Sequence, residues 1–394
     1  MTGRDYVIGM AGPITLADVQ SYLPALTNDC PKGLGGQQVG LLCNELLKRG
    51  HKLIIFSLDP GVETEWVIEG ERLKICLGPY TRRRARNFFR KERDYLTKAM
   101  LREKPTFLHA QWTYEFALAA IASGLPHVVT ARDAPINVLR YNFIPYRVVR
   151  TLMAYQACRQ AQRIVANSPY TAAHLKRFGF HTKPMDVIPN GVPAALFGRS
   201  RITRPDGQIT FATNLVGWGG YKNGAVVIEA FAKIRDKLSH ARLLMFGDGH
   251  GQGEVAQNWA QQHDYQDGIE FVGQVPYTRL LEMMSQDVDI LVHPALEESF
   301  SNAAVEAMAF GIPVIAGRAS GGVSWVLGHG QYGVVVDVRS AQDVGRAMLR
   351  LAQNADERVR IGNAGRDSVS AFFRIERVAD RYEAIYAELA GRHI

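Results

Sequence analysis

No apolar run in this chain reaches 18 residues, so no segment is expected to cross a membrane as a helix. Cysteine is scarce. Cys30, Cys43, Cys76 and Cys158 are scattered, without CxxC or metal-ligand spacing, and read as reduced structural thiols of a cytosolic protein. The opening "DYVIGMAG" lacks the basic residues and apolar stretch of a signal peptide. It reads instead as a buried strand meeting a glycine turn. Short-period repeats and low-complexity tracts are missing too.

What is present suits a globular protein. The 394 residues are long for one core and comfortable for two domains of about 200 each. The chain is 47% hydrophobic and 21% charged, an ordinary soluble balance. Its net charge of +8 is uneven: residues 1–200 hold 27 basic and 15 acidic side chains, whereas the rest hold 19 and 23. The basic half is expected to meet an anionic ligand or surface. No nucleic-acid motif accompanies the charge.

Short β-rich runs alternate with helical stretches. "YVIGM", "KLIIFS", "TFLHA", "HVVTA", "RIVAN" and "MDVIP" are strand candidates in the first half. "QITFA", "ARLLMF", "IEFVG", "DILVH", "PVIAG" and "GVVVD" are their counterparts in the second. The pattern predicts two doubly wound α/β domains, with ligands bound in a cleft outside the carboxyl ends of the strands. "IPNGVPAALFGRSRITRPDGQ", 188–208, carries three prolines and no helical period, and is the linker candidate. After about residue 355 the chain turns helical.

Polar residues cluster at the predicted strand ends. Gly33, Gly35 and Gly36 precede a helix, where backbone N–H groups can approach an anion; plain turn chemistry is the alternative. His109 ends one strand and is either a structural or a catalytic histidine. Arg132, beside Asp133, ends the next, where a fixed guanidinium suits phosphate or sugar hydroxyls. Lys222 stands in a glycine-containing loop at a helix start, a position that suits a phosphate.

"EESFSNAAVEAMAFGIPVI", 297–315, contains two carboxylates. Ser301 or Asn302 is a natural N-cap, so Glu298 precedes a helix and Glu306 lies about one turn inside it. If the whole interval were helical, the pair would stand roughly 12 Å apart. That is too far for the carboxylate pairs of sugar hydrolases, which lie about 5–9.5 Å apart. The helix start offers N–H groups and a positive dipole end to a diphosphate, and flanking carboxylates can accept sugar hydroxyls.

These segments resemble the retaining glycosyltransferases of family four, which have the GT-B fold. "EESFSNAAVEAMAFGIPVI" is similar to the family's Glu-x7-Glu signature, "MFGDGHG" to its GDG turn, and "IEFVGQV" to its F-x-G strand. "VANSPYTAAHLKRFGF", "VIPNGVPAALF" and "KGLGGQQVGLLCNELLKRGHKLIIFS" resemble further family segments in order. The resemblance implies an α/β GT-B fold with two Rossmann-like doubly wound domains facing a cleft. The first, 1–195, would take the acceptor and the second, 196–370, the nucleotide sugar. A terminal helix, 371–394, would return to the first domain.

The resemblance also implies roles. Glu306 would hold the donor ribose and Glu298 the transferred sugar. Phe300, Ser301 and Asn302 would bring backbone amides to that sugar and the terminal phosphate. Lys222 would meet the diphosphate, and Gly36 would approach the donor. The implied chemistry is front-face displacement with retention, needing no metal and no further cofactor. Arg132 and the helix start would stabilise the leaving group, with His109 as acceptor-positioning or proton-relay candidate.

There are three departures. The family's arginine shortly before the lysine is replaced by "TNL" and extra residues. "TARD" stands where many members carry histidine and resembles a surface-polysaccharide subset. "GGVSW" puts Trp325 where the family usually has an acid.

The chain therefore reads as a hexosyltransferase using a nucleotide diphosphate sugar, UDP-linked by family frequency, and a glycan or lipid-linked acceptor. The alternatives are a GT-B epimerase or phosphorylase acting on a sugar phosphate, or a donor-binding protein without turnover. "TRRRARNFFRKERDYLTKAM", 81–100, adds a membrane expectation. As a helix it would align Ala85, Phe88, Phe89, Leu96, Ala99 and Met100 in one stripe among arginines. Arg82, Arg83, Arg84 and Arg86 would touch anionic lipid, holding the enzyme peripherally on the cytoplasmic membrane face. In the alternative, Phe88 and Phe89 pack on the first domain.

Overall fold

Strands buried on both faces need near-continuous apolar runs, and the runs above become the centres of two sheets. The computed structural model describes residues 6–27, 29–198 and 208–391. It divides into two compact units, one running to Gly191 and resuming at Ile375, the other spanning Val192–Arg374. The first crossing falls within the linker candidate, whose residues 199–207 lie outside the described residues.

The first unit holds β1 (Val7–Ala11), β2 (Lys52–Asp59), β3 (Trp66–Glu69), β4 (Leu73–Pro79), β5 (Phe107–Gln111), β6 (His127–Ala131), β7 (Arg163–Ala166) and β8 (Asp186–Val187). Their order is β3-β4-β2-β1-β5-β6-β7-β8, parallel except for β3 against β4. The β3–β4 hairpin is not among the strand runs expected from sequence. Lys74 interrupts the apolar run of β4, and its charge is met by Glu103 at 2.7 Å and Glu69 at 3.4 Å. The helix Ile375–Gly391 belongs to this unit and buries Val378, Tyr382, Ile385, Tyr386 and Leu389 in its core. That i, i+3, i+4 stripe contributes about 1.5–3 kcal/mol for each large apolar side chain buried.

The second unit holds β9 (Thr210–Asn214), β10 (Arg242–Phe246), β11 (Ile269–Gly273), β12 (Ile290–His293), β13 (Val314–Gly317) and β14 (Val334–Val336). The order is β11-β10-β9-β12-β13-β14, parallel throughout. This is a doubly wound sheet whose strand order reverses between β9 and β12, where such sheets bind ligands.

The expected helix over 81–100 is corrected. The regular helix is Arg90–Glu103, preceded by a short 3-10 turn, Arg84–Asn87. Phe88 and Phe89 between them are both left-handed, with φ of 52° and 57°. The reversal sends Phe89 into the core, 6.2 Å from Tyr146, and leaves Phe88 44% exposed. Buried Glu92 anchors the bend by accepting from the Thr81 N–H at 2.9 Å and its hydroxyl at 2.5 Å. Arg84 is not positioned as a membrane contact: its guanidinium lies 3.7 Å over the Tyr80 ring and donates to Thr81 O.

Candidate active site

In the second unit, the loop after β9 turns through Gly217, Gly219 and Gly220, all at positive φ. Asn223 then fastens it to two other loops, donating to Pro294 O just beyond β12 at 3.1 Å and to Val338 O just beyond β14 at 2.7 Å. Leu296 N–H donates back to Tyr221 O at 2.7 Å. The fastening brings Lys222 Nζ to 3.2 Å from Glu298 Oε2, across the point where the strand order reverses. Both side chains keep about one fifth of their surface in solvent, at 19% and 21%.

Glu298 is held through its backbone as well, its carbonyl accepting from Gly322 N–H at 2.7 Å. Ser301 caps the helix Asn302–Ala309, its hydroxyl accepting from Ala304 N–H at 3.2 Å. Phe300 turns its ring inward, 5.6 Å from Phe373 and 6.3 Å from Trp325. Trp325 thus has a packing account, since it also meets Phe373 at 5.5 Å. Glu306, one turn into the helix, is nearly buried and accepts from Tyr277 hydroxyl at 2.8 Å. The two carboxylates therefore have different partners: a lysine for Glu298 and a phenol for Glu306. Beneath them His293 is buried, 3.4 Å from Ser301 Oγ. Burial, and then the Lys222 charge, push its pKa down to about 3.

In the first unit, Gly36 begins the helix Gln37–Lys48 at φ 131°. A Cβ there would stand 2.3 Å from Pro13 O, so only glycine allows the close approach. Arg132 lies at the carboxyl end of β6, half-buried. Its Nη2 and Nε donate to Gln111 Oε1 at 2.8 and 3.2 Å, and its Nη1 donates to Asn190 Oδ1.

His109 is corrected from relay candidate to core residue. It is 0% exposed, with Nδ1 2.6 Å from Tyr386 hydroxyl and Nε2 2.7 Å from Thr130 Oγ1. Gln111 turns its oxygen to Arg132, so its amide nitrogen faces His109 Nε2 at 3.0 Å. Nε2 is then an acceptor, and Nδ1–H donates to Tyr386. Both nitrogens are occupied, and burial followed by the Arg132 charge lowers the pKa to about 3.

Gln111, Asn190, Tyr277, His293, Tyr382 and Tyr386 were not singled out from sequence. Only Gln111 carried a signal: it sits two residues beyond His109, on the same face of a strand.

Residues 208–368 match the model of the glycosyl transferases group 1, and residues 35–196 match that of glycosyltransferase family 4. The chain belongs to this glycosyltransferase family. It is 32% identical to N-acetyl-alpha-D-glucosaminyl L-malate synthase of Bacillus anthracis over 163 residues, 41% of each chain. It is 30% identical to D-inositol 3-phosphate glycosyltransferase of Pseudarthrobacter chlorophenolicus over 215 residues, 52% of this chain and 50% of that one. These matches span half or less of the relatives' length.

Sucrose-phosphate synthase from Thermosynechococcus elongatus superposes with a TM-score of 0.75 at 19% identity, covering 98% of this chain and 100% of that one. Anabaena HepE, solved with UDP and glucose, gives 0.69 at 13%, covering 97% and 100%. The glycosyltransferase's fold is GT-B.

Two outcomes follow for the glycosyltransferase. Arg132→Ala should lower transfer by at least about tenfold, roughly 1.4 kcal/mol of transition-state stabilisation. Gln111→Leu should lower it in the same direction, and Gln111→Glu, which keeps the acceptor oxygen, should lose less. Steady-state kinetics of folded variants decide; a normal rate in Arg132→Ala makes the residue structural.

The second outcome concerns acid stability. His109 and His293 stay neutral when folded, whereas unfolded histidine binds a proton near pH 6.5. Stability should therefore be complete above about pH 6.5 and fall as pH drops toward 3. Each histidine should cost about 2 kcal/mol between pH 6.5 and 5. Thermal melts at pH 7.5 and 5.0 test this, and the drop should be smaller in His109→Gln.

Proposed function

We propose that this chain is a retaining hexosyltransferase that uses a nucleotide diphosphate sugar, UDP-linked, and builds a glycan on a lipid-linked acceptor at the cytoplasmic face of a membrane. The carrying observation is the Lys222–Glu298 pair at the strand-order reversal, beside the capped start of the helix Asn302–Ala309. Solved neighbours support the donor class: HepE was crystallised with UDP-glucose, and a trehalose-6-phosphate synthase was studied for glycosyl transfer with retention.

The ion pair supplies a binding step. An arriving diphosphate offers Lys222 a stronger partner than one carboxylate, so the lysine changes partner. Glu298 is released beside the sugar and can accept its hydroxyls. The helix start adds N–H groups to the phosphate. Together they stabilise the leaving diphosphate electrostatically, with no metal required. Glu306, steadied by Tyr277, holds the ribose.

A nucleotide-sugar screen by thermal shift, followed by assay of nucleoside diphosphate release, tests the proposal. A ligand at about 100 times its Kd should add roughly 2.7 kcal/mol. Release should require acceptor. A stabilising donor that is never turned over on any acceptor would assign the chain to donor binding alone.

A further inference from the structure

The bend at Phe88–Phe89 has a neighbour. Phe89 packs 6.2 Å from Tyr146, in the first turn of the helix Pro145–Gln160. Arg150 of that helix lies 5.6 Å from the Phe89 ring and 3.4 Å from that of Tyr114. The residues just before the helix are therefore brought beside the bend. They are apolar and outside: Phe143 is 80% exposed, with Tyr141 and Ile144 also exposed. Phe88, on the bend itself, is also exposed.

The surrounding exposed charge is mainly positive. Arg82, Arg83, Arg86 and Arg90 are exposed on the first segment and Arg140 on the second. Three of the acidic groups nearby are spent. Glu92 is buried on Thr81, Glu115 is paired with Arg150 at 2.7 Å, and Asp133 accepts from Tyr114 hydroxyl. Asp94 is exposed, 3.8 Å from Arg90. No helix among the described residues is long and apolar enough to cross a membrane.

We propose that this corner docks on an anionic bilayer. Phe143, Ile144 and Phe88 enter the interfacial region, while the arginines hold lipid phosphates. The surface is assembled from two separate segments, not from the single helical stripe expected over 81–100. Protruding aliphatic and aromatic side chains favour a bilayer over a nucleic acid, because Ile144 has no face on which a base can stack. The proposal deepens the reading of a lipid-linked acceptor, yet its test needs neither donor nor transfer.

Vesicle flotation of the full chain is the experiment. It uses phosphatidylcholine alone and mixed with phosphatidylglycerol, at low and high salt, with a single-stranded oligonucleotide as competitor. The native protein should float with the anionic vesicles at low salt and be released by salt. The double variant Phe143→Ser/Ile144→Ser should partition at least about tenfold less at unchanged charge and melting temperature. The triple variant Arg82→Ser/Arg83→Ser/Arg86→Ser should also bind less and lose its salt dependence. The proposal is overturned if native protein ignores anionic vesicles, or if both variants float like the native chain. It is also overturned if the oligonucleotide binds while vesicles do not, which would assign the corner to nucleic acid.

Discussion

Lys222→Ala should lower kcat by about 100- to 1,000-fold, the usual cost of losing one preorganised group aimed at developing charge. The lysine stands 3.2 Å from Glu298, on a loop fastened by Asn223 and Leu296, so little reorganisation is needed when negative charge appears. Removing it also leaves the Glu298 carboxylate without its cation, which should repel a diphosphate and raise donor KM. The double variant Lys222→Ala/Glu298→Gln separates these effects. It should recover part of the KM and little of the kcat. If Lys222→Ala folds and turns over normally, the leaving-group role is wrong.

Glu306→Ala should weaken nucleoside diphosphate binding by about 1.5–3 kcal/mol, the loss of a charged hydrogen-bond partner. That is roughly a 10- to 150-fold rise in Kd. Glu306 is nearly buried and oriented by Tyr277, so solvent cannot replace its contacts cheaply. Tyr277→Phe should show a smaller loss in the same direction. Glu298→Gln should instead retain most of the affinity for the free nucleotide and lose turnover, because its proposed partner is the sugar. Calorimetry with nucleoside diphosphate distinguishes the roles; equal losses in the Glu298 and Glu306 variants would merge them.

Much of this was legible along the chain because the buried parallel strands write their positions as apolar runs. All twelve expected runs coincide with strands. β4 was hidden because Lys74 lies within it, its charge tolerated only through Glu103 and Glu69. The helix over 81–100 was misjudged because helical period says nothing about Phe89, whose destination is a ring on another helix. At the site, Ser301 as a cap and Lys222 near a helix start could be argued from local spacing. His109 could not be resolved that way. What fills its two nitrogens comes from Thr130 and from Tyr386, far along the chain on the terminal helix. The same holds for Tyr277 on Glu306 and Asn190 on Arg132, contacts that only tertiary packing creates.

On the proposed function, a nucleoside diphosphate leaves under electrostatic stabilisation and the sugar keeps its anomeric configuration. Proton NMR of the product formed from an α-linked nucleotide sugar tests it most directly. An α-linked product, accumulating in step with free nucleoside diphosphate and slowed about 100- to 1,000-fold in Lys222→Ala, is the predicted result. A β-linked product, or undiminished transfer without Lys222, would contradict it.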